Sequence, residues 1–396
     1  MKSNMFILTL LFIIFLGSVD VYPESVRGVT DTTIKIGVIM DLTGPSAGDV
    51  GQPLTAAFKN YTRYVNDNGG IFGRKVKLII EDDRYSIPIT IATFKKLLFK
   101  DQIFALIGPS SVGGNKVLFK QLTRYRVPNI TVAPGKEMVR PLQKYTFLPV
   151  NLYDDQVGVI YDYIVNNLNP ERIKITFAYP DAESGKDVLA SARKWASFFK
   201  VDFNTEIVNL GTLDASTQAM SIKKKQSTHV VVHHGAPGMA MVLRDLRKFG
   251  LDMPVFGTMP AFTEDTVKMA RNASRNCFGA QPFTSWNEDT EGCIKMRKIA
   301  SQAAKVYPSG IYVVGWVASM ILYEGLERAG RDLSIGNLIT GLESIRDFDT
   351  KGLCGPINFS PTDHQGLYHS KLYKADPERG RLIPISDWRK APETRQ

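Results

Sequence analysis

Two neighbouring serines stand where a helix is predicted to begin, an arrangement that suits the binding of an anionic group. Ser110 and Ser111 follow the apolar segment 104–108, a predicted strand, and Gly113 and Gly114 come shortly after them. Hydroxyls and free N–H groups in the first turn of a helix favour negatively charged ligands. The alternative is that both serines only cap the helix, which is a common structural role for this residue type.

Adjacent histidines at positions 233 and 234 end another predicted strand. Successive side chains of a strand point to opposite faces of the sheet, so His233 and His234 are not expected to bind one metal ion together. His234, at the end of the strand, is instead a candidate hydrogen-bond donor to a ligand carboxylate. The sequence contains no His-Glu-x-x-His motif, and we predict no metal site.

The motifs of common catalytic sites are missing from the sequence. There is no GxSxG nucleophile motif, no Walker phosphate-binding loop and no GxGxxG segment that opens a helix. We therefore predict that the protein is not an enzyme and uses no cofactor. Of the three cysteines, Cys277 and Cys293 lie 16 positions apart and could form a disulfide, which would leave Cys354 unpaired.

The length and charge of the chain narrow the class of protein further. Its 396 residues favour two domains, and 44% of them are hydrophobic, enough for ordinary cores. Forty-nine lysines and arginines against 39 acidic residues give a net charge of +10. The basic residues are dispersed, and the run from Lys223 to Lys225 has no nucleic-acid-binding motif beside it. We predict no nucleic-acid partner.

The N-terminal residues have the pattern of a secretory signal peptide. Lys2 precedes the apolar segment 5–16, and the small residues Gly17 and Ser18 follow it. Residues 1–23 are therefore predicted to direct export as a signal peptide, with an uncleaved membrane anchor as the alternative. A second apolar segment, 311–323, is too short to cross a bilayer and is predicted to be a buried helix.

Strand and helix patterns alternate along the rest of the chain in two series. The first runs from a strand at 34–40 to a strand at 127–132, and the second begins after Asn151. This alternation predicts an α/β protein of two lobes, each built on a parallel sheet that helices cover. Ligands bind such sheets beyond the carboxyl ends of the strands, so the predicted site lies in the cleft between the lobes.

Several segments, spread in order over the chain, carry a resemblance to a known family. They are Ile34 to Val38 with Leu42 to Pro45, Val65 to Val76, Glu81-Asp82-Asp83, Ile107 to Ser111, and Gly355 to Ser360. Together they resemble the leucine/isoleucine/valine-type periplasmic binding proteins that serve ABC importers. The resemblance implies a type I periplasmic binding fold, with two Rossmann-like lobes, a three-segment hinge and a ligand cleft. It also implies a structural role for Asp82 and Asp83 beside the hinge.

The same resemblance implies how the chain is divided and what it does. The first lobe is expected to contain residues 30–149 and 284–360, and the second lobe residues 150–283 and 361–396. The implied protein is a periplasmic monomer that captures a small ligand by lobe closure and delivers it to an ABC permease. A sensor that presents its ligand to a membrane receptor is the alternative function.

Matching this sequence to the family pattern also assigns candidate site residues. Family members hold a ligand carboxylate on the first lobe with a serine-rich loop and a second, small loop. Here the two loops are Ser110-Ser111-Val112-Gly113 and Ala133-Pro134-Gly135. The remaining candidates are Tyr153, after the first crossover; Ser184, where the family commonly has tyrosine; His234-Gly235; Met259; and Asp49, where an aromatic residue is often seen.

Met259 argues against a standard branched-chain amino acid as the ligand. Family members place a glutamate at this position, where it binds the ammonium group of the amino acid. An ammonium facing a thioether would be desolvated without a charge partner. The departure therefore favours a carboxylate-bearing ligand without an α-amino group, such as an aromatic or aliphatic acid. Asp49 could bind an ammonium instead, which leaves an amino-acid-like ligand open.

Overall fold

Two β-sheets organise the fold in the computed structural model, which describes residues 26–393. The predicted signal peptide, residues 1–23, lies outside the described residues. The first sheet is wholly parallel and has the strand order β2-β1-β3-β4-β5. Its strands are β1 (Thr33–Met40), β2 (Lys75–Asp82), β3 (Ala105–Ile107), β4 (Asn129–Ile130) and β5 (Thr146–Phe147).

The second sheet has the order β12-β11-β10-β9-β8-β6-β7. Its strands are β6 (Lys174–Tyr179), β7 (Asp202–Ile207), β8 (His229–Val232), β9 (Val255–Gly257), β10 (Cys277–Gln281), β11 (Lys371–Asp376) and β12 (Arg381–Pro384). Strands β6 to β10 are parallel, which confirms the predicted α/β class, whereas β11 and β12 add an antiparallel hairpin at one edge. The strand series predicted from the sequence did not include this hairpin.

Eleven α-helices cover the two sheets within residues 26–393. In chain order they are α1 (Gln52–Asp67), α2 (Ile87–Lys95), α3 (Val112–Tyr125), α4 (Tyr153–Asp162), α5 (Glu183–Phe199), α6 (Ser216–Lys224), α7 (Ala236–Lys248), α8 (Glu264–Ala270), α9 (Glu291–Ala300), α10 (Gly310–Arg328) and α11 (Ile335–Glu343). The segment 311–323, predicted to be buried, forms the middle of α10 and packs between α1 and α11. Gly315 allows the close approach of α1, because a Cβ there would lie 2.9 Å from the Leu54 carbonyl oxygen.

Hydrophobic cores divide the chain into the two lobes. One core draws on residues 34–152 and 283–367 with the first sheet, together with Met259, and we call the part of the chain within these two ranges the first lobe. Two further cores flank the second sheet and draw on residues 153–280 and 372–382, which form the second lobe. The chain thus passes between the lobes three times, and the lobe boundaries given from the sequence remain a proposal.

The three cysteines are buried free thiols, so the disulfide considered between Cys277 and Cys293 is not formed. The reason is their location, since Cys277 belongs to a second-lobe core and Cys293 to the first-lobe core. Burial raises the pKa of each thiol, that of Cys354 to about 12, which keeps the thiols protonated. In the described part of the chain, no helix combines the length and hydrophobicity that spanning a membrane requires.

Candidate functional site

A cavity of about 80 Å³ lies between the lobes. A single water molecule needs only roughly 10–15 Å³ of such space, so the cavity has room for a small molecule. Residues of both lobes line it: Ser46, Val50, Leu54, Tyr85, Ser110, Val112, Val132, Tyr153, Pro180, Ser184, Leu210, His233, His234, Gly235, Met259, Pro260, Ile311 and Val314.

Of the helices within residues 26–393, six begin at this cavity. Lining residues lie in the first turn, or at the residue just before it, of α1, α3, α4, α5, α7 and α10. For α1, α3, α4, α5 and α7, which each follow a strand, the arrangement results from the parallel sheets, in which a crossover helix starts at the carboxyl edge of its strand. Helix N-termini carry partial positive charge, so together they create a potential that favours a negatively charged group in the cavity.

The structure separates the roles of the two adjacent serines. The hydroxyl oxygen of Ser111 accepts a hydrogen bond from the Gly114 N–H at 3.1 Å and caps α3, the structural alternative considered from the sequence. The hydroxyl of Ser110 is buried, has no hydrogen-bond partner within the protein and lines the cavity. A buried hydroxyl without a partner is unfavourable, so Ser110 is the serine that is free to bind a ligand.

His234 offers a second unpartnered group, from the opposite lobe. Its Nδ1 accepts a hydrogen bond from the Gly235 N–H at 2.9 Å, which places the proton of the neutral ring on Nε2. That Nε2 is buried and has no hydrogen-bond partner. Burial lowers the pKa of His234 against the opposing effect of the backbone of Asn209, Val208 and Gly235, so the ring is neutral near pH 7 and Nε2 carries the proton. Gly238 of α7 makes room for the ring, because a Cβ there would lie 2.0 Å from Nδ1.

His233 also lines the cavity, which the strand alternation did not predict. Strand β8 ends at Val232, so the two histidines follow the strand and need not point to opposite faces. The Nδ1 of His233 lies 2.8 Å from the Thr258 hydroxyl, and its ring contacts the ring of Tyr153 edge-on. Burial lowers the pKa of His233 to about 3, so this ring is neutral as well.

Tyr85 reaches the cavity from a loop with an unusual backbone. Arg84 and Tyr85 both have positive φ angles, 53° and 59°, which residues other than glycine rarely adopt. Two carboxylates hold this loop, since Asp82 accepts from the Arg84 N–H at 3.0 Å and Asp83 from the Tyr85 N–H at 3.1 Å. These bonds support the structural role expected for Asp82 and Asp83. The Tyr85 side chain lies near Ser184 of the other lobe, and both residues line the cavity.

The predicted site residues divide into two groups. Those that line the cavity are Ser110, Val112, Tyr153, Ser184, His234, Gly235 and Met259. Those that do not line it are Ser111, Gly113, Ala133, Pro134, Gly135 and Asp49. The small loop at 133–135 is used internally, because the Pro134 carbonyl accepts the Tyr153 N–H and Gly135 packs against Val112. The neighbouring Val132 lines the cavity instead.

Asp49, a candidate partner for an ammonium group, binds the opposite lobe. Its Oδ2 accepts a hydrogen bond from the Ala236 N–H at 3.1 Å, at the first residue of α7. The carboxylate therefore spans the cleft outside the cavity lining. Among the described residues that line the cavity, none is aspartate, glutamate, lysine or arginine.

Most lining residues that the sequence reasoning missed are apolar. Leu54, Ile311 and Val314 have the helical spacing of ordinary core positions, and they belong to the first-lobe core as well as to the cavity wall. No local signal distinguishes the two roles, because both require the same residue types. Tyr85 had one usable signal, its place two residues after the Asp82-Asp83 pair at which β2 ends.

The fold and the cleft define a periplasmic binding protein. The sequence model of the periplasmic binding protein family matches residues 33–380, and the chain belongs to this family. Its curated relatives include amino-acid-binding proteins of this family. It is 23% identical over 360 residues to the Leu/Ile/Val-binding protein BraC3 of Rhizobium johnstonii, and the match covers 88% of this chain and 93% of that protein.

Solved structures show the same fold. A branched-chain amino acid ABC transporter protein from Thermus thermophilus with bound valine has a TM-score of 0.85 and 22% identity, covering 91% of this chain and 97% of its own. A fatty acid ABC transporter substrate-binding protein from Thermomonospora curvata has a TM-score of 0.81 and 20% identity, covering 93% and 95%. The family is one of substrate-binding transport proteins, and these names do not favour the alternative of a sensor.

Proposed function

We propose that this protein captures a small monocarboxylic acid without an α-amino group and delivers it to an ABC permease after export. The observation that carries the proposal is the character of the cavity wall. It has two unpartnered polar groups, Ser110 Oγ and His234 Nε2, and no acidic side chain among its described residues. Such a wall can bind the oxygens of an acid but offers no charge partner to an ammonium group.

The two polar groups also suggest how binding closes the cleft. Ser110 follows β3 in the first lobe, and His234 follows β8 in the second. A carboxylate that accepts from both would bridge the lobes and bind the closed arrangement more tightly than an open one. A ligand with this preference shifts the population towards closure.

The rest of the ligand is expected to be a compact hydrocarbon chain or ring. Ten lining residues have hydrocarbon or thioether side chains, among them Met259 at the position where a glutamate was expected. Buried apolar contacts contribute roughly 25 cal/mol per Å². The structural likeness to a fatty acid binding protein is consistent with such a ligand.

A thermal-shift panel of the mature protein tests this function. The panel contains aliphatic and aromatic monocarboxylic acids, the corresponding amides, and the twenty amino acids. Ligands that bind only the folded state raise the melting temperature by mass action. We expect shifts with one or more acids and none with the amides or with leucine, isoleucine or valine. Shifts with amino acids alone would contradict the proposed ligand class.

The adjacent serines give a prediction with an internal control. Ser110→Ala is expected to weaken binding of an acid from the panel by about 10- to 100-fold, because a hydrogen bond to a charged group contributes about 1.5–3 kcal/mol. Ser111→Ala should instead lower the free energy of unfolding by about 1 kcal/mol through loss of the cap. Calorimetric titration and urea unfolding of both variants measure the two effects. Weaker binding in Ser111→Ala, with unchanged binding in Ser110→Ala, would show that Ser111 is the ligand-binding serine.

A further inference from the structure

Two carboxylates cross the cleft in opposite directions. Asp49 of the first lobe accepts the Ala236 N–H of the second lobe at 3.1 Å. Asp187 of the second lobe accepts the Lys136 N–H of the first lobe, also at 3.1 Å. Each accepted N–H lies at the start of a helical segment, where backbone donors lack partners within the helix. The contacts are reciprocal, and opening the lobes would break both.

We propose that Asp49 and Asp187 are positioning residues that fasten the closed lobes, and that closure is coupled to proton uptake at these two carboxylates. Neither residue lines the cavity, so their role is in the lobe arrangement rather than in ligand contact. The two contacts act on the closing motion and do not depend on the ligand class.

The surroundings of both half-buried carboxylates disfavour a negative charge. Asp49 faces Asp41 and Tyr85 of its own lobe and Asp265 of the other, with neutral His234 one residue before Gly235. The groups around Asp187 are the acids Glu137 and Asp154, the phenol of Tyr153, and the cation Lys116, which is itself bound to Glu137 and Glu183. Burial, the largest cause, raises the pKa of each carboxyl to about 6.

The direction of the pH effect follows from these values. In open lobes the carboxyls are exposed, and their pKa returns towards about 3.9. The closed state therefore binds more protons than the open state between about pH 4 and pH 6, and acidification favours closure. From pH 7.5 to pH 5, a closed-state pKa of about 6 raises the closed-to-open ratio about tenfold per group, or about a hundredfold for both.

Distance measurements on spin-labelled protein test the proposal without any ligand. Labels are attached through Lys120→Cys on α3 and Arg193→Cys on α5, two exposed positions on helices of opposite lobes. The native cysteines are buried and do not compete for label. We expect the population at the short, closed distance to increase strongly when the pH falls from 7.5 to 5.

The matched variant is Asp49→Asn with Asp187→Asn. Asparagine keeps a carbonyl oxygen for each N–H but does not titrate, so the double variant should lose the pH response. In each single variant, the closed-to-open ratio should still increase about tenfold from pH 7.5 to pH 5. His233, His234 and the surrounding acids remain in every variant, and their titration is thus common to all. Asp181→Asn, at an exposed acid that binds only Lys186, should respond like the wild type.

Two results would overturn the inference. One is a closed population that does not increase in acid, and the other is an equal increase in the double variant. Because no ligand is present, failure here leaves the proposed carboxylic acid ligand untouched, and a negative ligand panel leaves the proton coupling untouched.

Discussion

Replacing His234 with leucine is expected to lower the affinity for a carboxylic acid by about 10- to 100-fold. The expected loss is that of a hydrogen bond to a charged acceptor, about 1.5–3 kcal/mol. The Nε2–H of His234 is fixed as a donor by the Gly235 N–H bond to Nδ1 and has no partner in the protein. Leucine is similar in size and apolar, so the cavity keeps its shape; the change removes the Nε2–H donor together with the Nδ1 acceptor of the Gly235 N–H.

Calorimetric titration with an acid from the panel measures this loss. The matched control is His369→Leu, since His369 also has a buried Nδ1 without a partner and a pKa lowered by burial, but does not line the cavity. The control should bind like the wild type. Equal affinities of the His234 variant and the wild type would remove His234 from the site.

Glu264→Gln is expected to lower the free energy of unfolding by about 3 kcal/mol or more, the cost typical of breaking a buried charged network. Glu264 is fully buried and begins α8 of the second lobe. Its Oε1 accepts from the Ser285 hydroxyl at 2.7 Å and the Trp286 N–H at 2.8 Å, and its Oε2 accepts from the Gly310 N–H at 2.9 Å. A glutamine would direct its NH₂ group at one of these donors.

These partners make Glu264 a link between the lobes. Ser285 and Trp286 lie just after the second crossing, and Gly310 is the first residue of α10 in the first lobe. Urea unfolding compares the variant with Glu291→Gln, at an exposed glutamate in the first turn of α9. The control should change the free energy of unfolding by less than about 0.5 kcal/mol. A similarly small change in Glu264→Gln would show that the buried network is dispensable.

The parallel sheets and the buried helix α10 could be predicted because their patterns are local. Alternation of apolar strands with amphipathic helices specifies a parallel sheet, and a helix that is apolar on all sides must be interior. The hairpin of β11 and β12 has weaker patterning and depends on pairing with β10, nearly 100 positions earlier in the chain. For this reason, the strands predicted from the sequence did not include the hairpin of β11 and β12.

The site was harder to predict for two reasons. A shift of one residue in where a helix or strand ends changes which side chains face the cavity, and some contacts form only where the two lobes meet. Whether Ser110 or Ser111 caps α3 is decided by the residue at which the helix begins, and predicted boundaries vary by more than one residue. His233 faces the cavity because β8 ends one residue before it. Asp49 meets Ala236 only when the lobes close, and nothing in the sequence near either residue specifies that contact.

The most direct test of the proposed ligand class compares leucine with isocaproate, the same carbon skeleton and carboxylate without the amino group. Calorimetric titration of the mature protein with each compound isolates the ammonium as the single difference. The described residues of the cavity wall include unpartnered donors but no acidic side chain. We therefore expect isocaproate to bind at least tenfold more tightly than leucine. Tighter binding of leucine would contradict the account and would mean that an acidic group reaches the ligand.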